Sequence, residues 1–345
     1  MSKKARMHVA ARLMPILLLI AALCTPMGSW AQQSVVRDPL PSWQEGQAKL
    51  AILGFVREVT DKSGTRYVTP EDRIATFDDD GTLWPEWPRH VNQIQMVFVR
   101  QRVKEMEKDH LPDWHYREPF RAILKGDDDA IALVLTDLWN RMDLLRETSG
   151  SMSVDEFGAR VRRFLATARH PGFNVPYTEV AYQPMLELLD LLRANQFKIF
   201  IVTSGGADFV RELSEQVFGI PRECVIGSSA DCEYEETPDG KGNLVRTPNV
   251  EVFNDKAAKA KNIQLHIGRR PIFTAGNNDS DLAMMGFAAG GKNPFLNLLV
   301  RHDDGNREFA YGEGASKVLQ AARARGWTTV SMKNDFRIVF SFRGD

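Results

Sequence analysis

The chain has 345 residues, of which 43% are hydrophobic and 26% charged, and its formal net charge is −1. A chain of this length can bury a full core and carry one inserted subdomain. The nearly balanced charge, without a basic stripe or tail, argues against nucleic acid as a partner.

The N-terminal segment, residues 1–31, has the pattern of a secretory signal peptide. Four basic residues lie within the first 12 positions, an apolar run follows over 13–23, and small residues flank Trp30 before a cleavage point after Ala31. The apolar run is too short to span a bilayer comfortably, although a retained anchor is the alternative. We therefore expect a periplasmic protein that has no stable membrane association after cleavage.

The rest of the chain alternates between helical and strand patterns. Residues 43–59 predict an amphipathic helix and residues 73–77 a buried strand. Apolar residues then recur at helical spacing from about 91 to 168, and Ser153 with Glu156 forms a capping box for the last helix of this stretch. A helix over 184–195 and strands over 198–202 and 271–275 follow. This pattern predicts an α/β fold with a doubly wound, Rossmann-like parallel sheet and a long helical insertion.

The first strand runs directly into a pair of carboxylates. Residues 74–84 read IATFDDDGTLW, so Asp78 and Asp80 lie at the strand end, before Gly81 and Thr82. A carboxylate at a rigid strand end suits nucleophilic attack on phosphorus, and a second one two positions later suits proton transfer to the leaving group. Asp79, between them, is expected to point to the opposite side of the strand. Asp78 and Asp80 are the candidate catalytic residues.

A second Asp triplet, residues 127–129, serves as an internal comparison. It follows no strand and precedes the apolar run 131–138. Its position predicts a helix N-cap rather than a catalytic site.

Two further strand ends carry polar residues, and a parallel sheet places ligands at the carboxyl ends of its strands. After the strand at 198–202, Thr203 and Ser204 introduce a glycine-containing turn that suits phosphate oxygens. After the strand at 271–275, Asn277, Asp279 and Asp281 offer oxygen ligands for Mg²⁺. Just upstream, the residues that can neutralise phosphate charge are Lys256, Lys259 and Lys261.

In their order and spacing these strand ends resemble the haloacid dehalogenase superfamily, and in particular its exported phosphoserine-phosphatase-like members. FDDDGTL resembles the first motif and IFIVTSGG the second, with Thr203 at the motif position and Ser204 in place of a glycine. DKAAKA resembles the lysine motif and favours Lys259 over Lys256. In GNNDSD, Asn277 stands where the family has its first aspartate, Asp281 matches the second, and Asp279 is a compensating candidate.

The resemblance implies an α/β core over 32–84 and 176–345, interrupted by an α-helical cap over 85–175. It also implies a Mg²⁺-dependent phosphatase that forms an aspartyl-phosphate on Asp78, with Asp80 as the acid and base. Asp78, the Asp80 carbonyl and Asp281 would hold the metal. The substrate would be a small phosphomonoester.

Two rival functions and two smaller questions stay open at this stage. A phosphotransferase or mutase would use the same aspartyl-phosphate, and Asn277 is the feature that favours an exported binding protein with a decayed site. Cys224 and Cys232 would be either bridged or free in an oxidising compartment. Aromatic residues of the insertion would either form core or bind an aromatic or cationic leaving group: Trp84, Trp87, Trp114, Tyr116 and Trp139.

Overall fold

Within residues 38–88, 91–110 and 113–343, which the computed structural model describes, the chain folds around one sheet of eight strands. In chain order the strands are β1 (Ile74–Phe77), β2 (Met152–Ser153), β3 (Lys198–Gly206), β4 (Val225–Glu236), β5 (Gly242–Val252), β6 (Phe273–Gly276), β7 (Leu296–Arg301) and β8 (Thr328–Ser331). Their order across the sheet is β2-β5-β4-β3-β1-β6-β7-β8. The strand that precedes Asp78, β1, therefore lies between the two other strands whose ends carry candidate residues.

The strands from β4 to β8 across the sheet are parallel, and this confirms the predicted α/β fold class. At one edge, β5 pairs antiparallel with β4, and the short β2 pairs antiparallel with β5. The sequence pattern did not indicate this edge, because β5 has one buried residue and lacks the apolar run of a buried strand.

Helices cover the sheet and fill the predicted insertion. In chain order they are α1 (Gln47–Thr60), α2 (Ile94–His110), α3 (Glu118–Lys125), α4 (Asp128–Val134), α5 (Leu138–Ser149), α6 (Val154–Leu165), α7 (Gln183–Ala194), α8 (Ala207–Arg211), α9 (Ser214–Phe218), α10 (Ala257–Ile267), α11 (Leu282–Ala289), α12 (Ser316–Arg325) and α13 (Met332–Asp335). Helices α2 to α6 lie between β1 and β3, where the helical insertion was expected. The limits of a separate cap, 85–175, stay a prediction.

Local signals explain where two helices of the insertion begin. The Ser153 hydroxyl accepts a hydrogen bond from the Glu156 N–H, and the Glu156 carboxylate accepts one from the Ser153 N–H, so the predicted capping box of α6 is confirmed. The Asp127 carboxylate accepts from the Ala130 N–H at the start of α4. The second Asp triplet is therefore a helix N-terminus, as predicted.

The aromatic residues of the insertion divide between core and surface. Trp84 and Trp114 are buried in the main hydrophobic core, whereas Tyr116 and Trp139 are exposed. Trp87 stacks on Tyr311, with ring centroids 4.7 Å apart. For Trp84 and Trp114 the core interpretation is confirmed.

The cysteines and the N-terminus give two further outcomes. Cys224 and Cys232 are free thiols in the structure, which is one of the two alternatives left open by their spacing. The predicted signal peptide and its cleavage point lie outside the described residues. Among the residues that are described, none of the helices combines the length and the apolar character needed to cross a membrane.

Candidate active site

The chain turns sharply after β1. The Asp78 N–H still donates to the Ala275 carbonyl (3.0 Å), so strand pairing with β6 continues one residue past the strand. The Asp79 carbonyl then accepts hydrogen bonds from the N–H groups of Thr82 (3.0 Å) and Leu83 (2.8 Å). These bonds hold the Asp78–Asp80 segment rigidly at the middle of the sheet.

Gly81 is required in this turn for two reasons. Its φ is +74°, a conformation that glycine adopts far more readily than other residues. A Cβ at this position would also lie 1.9 Å from the Asn277 amide nitrogen and 2.9 Å from a carboxylate oxygen of Glu86. The loop after Asp80 is therefore packed directly against Asn277 and Glu86.

A lysine joins the first and third strand ends. Lys259, on α10, donates from Nζ to Oδ1 of Asp78 (2.6 Å) and to Oδ1 of Asp281 (2.7 Å). All three side chains are almost completely buried. Lys256 is instead exposed, and its ammonium lies 3.9 Å from Asp255. The structure therefore places Lys259, the lysine favoured by the motif, against the candidate nucleophile.

The charges of this cluster are strongly coupled. Burial raises the pKa of Asp78 well above its ordinary value, and the Asp281 carboxylate raises it further, while the Lys259 ammonium lowers it in part. Burial alone would lower the pKa of Lys259, but the charges of Asp281 and Asp78 outweigh burial and raise it. Lys259 is thus held as a cation that partly offsets two buried carboxylates.

Asp80 is oriented by two donors from the start of the insertion. Its Oδ1 accepts a hydrogen bond from the Trp84 indole N–H (2.8 Å), and its Oδ2 accepts one from the Gln93 amide (3.2 Å). Asp78 and Asp80 both line the same cleft. The pair therefore meets the first geometric requirement for a nucleophile and a neighbouring acid.

Asp79 differs from its two neighbours. It is fully buried but does not line the cleft, as expected for a side chain on the other side of the chain. Burial raises the pKa of its carboxyl, and the Thr203 hydroxyl lowers it in part. Asp79 therefore belongs to the interior below the site.

The second strand end presents Ser204 to the cleft and keeps Thr203 beneath it. Ser204 lines the cleft, whereas Thr203 is buried, with its hydroxyl accepting from the Gly205 N–H (2.8 Å). The Gly206 N–H donates to Oε1 of Gln95 on α2 (2.8 Å). The side chain of Ser204, rather than that of Thr203, is the one exposed to a ligand.

The third strand end is organised by Asp281. Its Oδ2 accepts from the N–H groups of Asn277 (3.0 Å) and Asn278 (3.2 Å), which closes the turn after β6. Asp279 lines the cleft, but its Oδ1 accepts from the N–H of Val318 near the start of α12 (2.8 Å). Asp279 thus also serves as a link to that helix.

Several site residues gave no signal in the sequence. The His302 ring lies between two acceptors, with Nε2 2.7 Å from the Gly81 carbonyl and Nδ1 2.9 Å from Glu308. Burial alone would lower the pKa of His302, but Glu308, Glu86 and the Gly81 carbonyl together outweigh burial and raise that pKa. Asn254 donates to the Thr203 carbonyl (2.9 Å). These contacts join positions far apart in the chain, so only the fold reveals them.

The cleft above these residues has a volume of about 440 Å³, within the usual range for small-molecule sites. Its floor includes Asp78, Asp80, Glu86 and Ser204. Its walls come from the helices of the insertion on one side and from β4, β5 and the segment after β5 on the other. A phosphate group bound at the floor would leave the rest of its ester between these walls.

The donor set at the floor fits a hard cation. Mg²⁺ prefers oxygen ligands. Asp78 and the Asp80 carbonyl, after β1, supply carboxylate and carbonyl oxygens, and Asn277, after β6, supplies an amide oxygen. No group of three acidic, histidine or cysteine side chains that could hold a metal occurs in the described part of the chain. A magnesium site here would therefore combine side-chain with main-chain oxygens.

Comparison with known proteins identifies a family. The profile of the haloacid dehalogenase-like hydrolases matches residues 75–286, which include β1, β3, Lys259 and Asp281. No curated protein sequence matches the chain.

Solved structures with related folds have low sequence identity. A conserved protein of unknown function from Anaerococcus prevotii is 14% identical, covers 82% of this chain and 91% of its own, and has a TM-score of 0.48. A protein of unknown function from Bordetella pertussis is 13% identical, with coverages of 75% and 97% and a TM-score of 0.44. A phosphoserine phosphohydrolase-like protein from Francisella tularensis is 14% identical, with coverages of 75% and 94% and a TM-score of 0.39.

Proposed function

Because the chain belongs to the haloacid dehalogenase-like hydrolase family, we propose that it is a Mg²⁺-dependent phosphatase acting on a small phosphomonoester. The observation that carries the proposal is the position of Asp78. This carboxylate lies at the carboxyl end of the central strand, contacts the Lys259 ammonium at 2.6 Å, and lines a cleft together with Asp80.

In the first step an oxygen of Asp78 attacks phosphorus, and the bond from phosphorus to the ester oxygen breaks. The product on the protein is an aspartyl-phosphate. Lys259 supports this step because its ammonium favours the ionised form of Asp78 and lowers in part a pKa that burial raises. The Ser204 hydroxyl and the N–H groups after it suit the phosphoryl oxygens.

Asp80 serves both steps. Protonated, it gives its proton to the leaving alkoxide, and as a carboxylate it then removes a proton from the water that attacks the aspartyl-phosphate. Its hydrogen bonds to Trp84 and Gln93 fix the carboxyl orientation in both steps. Asp78 is regenerated when the bond from its oxygen to phosphorus breaks.

A bound Mg²⁺ would neutralise charge on the transferring phosphoryl group. We propose Asp78, the Asp80 carbonyl and Asn277 as its ligands. Asn277 takes the place of Asp281, the ligand expected from the sequence, because both Asp281 oxygens accept hydrogen bonds within the protein. Asp281 supports the site through its hydrogen bonds to the Asn277 N–H and to Lys259, and Asp279 lies at the edge of the same cleft.

Phosphate release from p-nitrophenyl phosphate and a panel of phosphomonoesters tests the proposal. We expect turnover with Mg²⁺, loss of turnover in excess EDTA, and recovery when Mg²⁺ is restored. An added alcohol acceptor distinguishes the phosphotransferase, since transfer to the alcohol would lower phosphate release while the ester is still consumed. Binding of phosphate esters without any turnover would favour the decayed binding protein.

We also propose export to the periplasm, on the basis of the basic and apolar pattern of residues 1–31. Protein recovered from a Gram-negative periplasm is expected to begin at Gln32. Recovery of Met1 in a membrane fraction would contradict this proposal.

A further inference from the structure

The cleft is polar at its floor and largely apolar along its walls. Apolar side chains line both walls, among them three from the insertion and three from β4, β5 and the segment after β5: Met96, Met142, Leu145, Ala230, Val250 and Phe253. Leu145 and Phe253 remain 38% and 40% exposed. Exposed apolar surface that is continuous with a catalytic floor favours an apolar ligand group.

Two arginines of the walls are paired with carboxylates, whereas Lys256 lines the cleft with its ammonium 3.9 Å from Asp255. Arg246 forms an ion pair with Asp208, and Arg146 lies 2.8 Å from Asp143. Such pairs do not favour a second phosphate or carboxylate on the substrate, because an anion would have to compete with the carboxylate partner. These two arginines are therefore not arranged to receive the further phosphates of a nucleotide or a bisphosphate.

We infer that the substrate is a phosphomonoester whose alcohol part is apolar and about the size of one or two rings. The inference rests on the proposed phosphatase function and adds the class of leaving group to it. The phosphate would lie at Asp78, and the apolar part would lie between Leu145 and Phe253.

A comparison of two esters tests this class. We expect KM for 1-naphthyl phosphate to be at least about tenfold lower than KM for O-phosphoserine, since a ring bound between the walls is removed from water. Equal values, or a preference for O-phosphoserine, would overturn the inference and leave the phosphatase function intact. Absence of hydrolysis with every ester would contradict the proposed function itself.

Matched variants locate the effect on the cleft wall. Leu145→Asn should raise KM for 1-naphthyl phosphate about fivefold to tenfold and leave KM for O-phosphoserine nearly unchanged. Leu133→Asn is the control, because Leu133 is 72% exposed on the same helical insertion and does not line the cleft. An equal change in KM for both esters in Leu145→Asn would contradict an apolar leaving-group site.

A separate observation concerns the carboxylate of Glu86. It is only 2% exposed and accepts hydrogen bonds from the Asn277 amide nitrogen (2.9 Å) and the Tyr311 hydroxyl (3.1 Å). An amide presents its nitrogen to a carboxylate, so Glu86 sets which way the Asn277 amide points. Both groups pack against Gly81, next to the proposed metal ligand Asp80.

We propose that Glu86 supplies the negative charge that a neutral Asn277 does not contribute to the metal site. Glu86 acts here as a positioning residue, through the bonded amide of Asn277. This proposal also rests on the phosphatase function, and Mg²⁺ binding tests it independently of turnover.

Isothermal titration of Mg²⁺ into three variants provides that test. Glu86→Gln keeps an oxygen that accepts from Asn277 but removes the charge, so Kd should rise about tenfold. The reciprocal variant Glu86→Gln with Asn277→Asp retains one carboxylate and one amide, and Kd should return to within about threefold of wild type. Glu187→Gln, remote from the site near Ser42, should leave Kd unchanged.

A wild-type Kd in Glu86→Gln would overturn the charge-supply role. Failure of the reciprocal variant to recover Mg²⁺ binding would also overturn this role, provided that its Tm in EDTA equals that of Glu86→Gln and misfolding is thereby excluded. Absence of Mg²⁺ binding by the wild-type protein would instead contradict the proposed metal requirement.

Discussion

The tripeptide Asp-Asp-Asp occurs twice in this chain, and the two copies have different surroundings. Residues 78–80 follow the central strand, and Asp78 and Asp79 are almost completely buried. Residues 127–129 are exposed at the start of α4, where Asp127 accepts a hydrogen bond from the helix backbone. The same side chains therefore meet a desolvated cluster in one place and water in the other.

Burial is what makes the first triplet chemically different from the second. It raises the pKa of Asp78, and the buried Lys259 ammonium lowers that pKa in part. At the second triplet the negative charges interact favourably with the N-terminus of a helix, a modest structural effect. Carboxylate composition alone does not distinguish the two triplets, whereas a position at a strand end beside a buried cation does.

The largest predicted difference between the triplets is in turnover. Asp78→Asn removes the nucleophile and Asp80→Asn removes the acid and base, so kcat should fall by on the order of 10⁴-fold in each. Asp128→Asn should leave kcat unchanged, since it removes only a partly exposed ion pair with Arg100. Steady-state assays of the three variants check this, and a large loss in Asp128→Asn would break the comparison.

Lys259→Met should have the next largest effect. The change removes the cation that lowers the pKa of Asp78, so Asp78 is protonated up to a higher pH and the acid limb of the kcat/KM profile should move to higher pH. We also expect kcat/KM at its optimum to fall by about 10²-fold to 10³-fold. Lys261→Met, an exposed lysine of the same helix, serves as the control. An unchanged acid limb in Lys259→Met would contradict the proposed charge coupling.

Asp79→Asn should have the smallest effect on turnover, and it should increase the free energy of unfolding. Asp79 does not line the cleft, so kcat should stay of the same order as in wild type. Burial raises the pKa of Asp79 in the folded state above the ordinary value of 3.8. As pH rises past 3.8, Asp79 therefore loses its proton in the unfolded state before it does so in the folded state. The free energy of unfolding decreases over this range, until pH exceeds the folded-state pKa.

The amide of Asp79→Asn avoids that loss. The free energy of unfolding at pH 7 should therefore rise by about 1 kcal/mol, with a smaller gain at pH 4. Urea denaturation at the two pH values measures the difference. A gain that is larger at pH 4 than at pH 7 would show that burial of the Asp79 charge has been misjudged.

Much of the fold could be predicted because its signals are local. The buried strand before Asp78, the capping box at Ser153 and the N-cap at Asp127 each depend on residues within a few positions of one another. The edge formed by β4 and β5 could not be predicted in this way. Its strands are long, and most of their residues are exposed or only partly buried, so their apolar alternation is weak.

The candidate site was predictable at its strand ends and not in its tertiary contacts. Glu86 meets Asn277, and His302 meets Gly81, across roughly 200 residues of chain, and no spacing rule connects such positions. The choice between Thr203 and Ser204 depends on a shift in strand register after Val202, which alters which side chain faces the cleft. The packing of α12 decides that Asp279 accepts from Val318.

The central claim, that Asp78 becomes phosphorylated, can be tested by trapping the intermediate. Protein quenched during turnover is reduced with borohydride, which converts an aspartyl-phosphate into homoserine, and the peptide that spans residues 74–84 is sequenced by mass spectrometry. We predict homoserine at position 78 with substrate and Mg²⁺, and none without substrate. Homoserine at position 79 or 80, or turnover without any converted residue, would contradict the account.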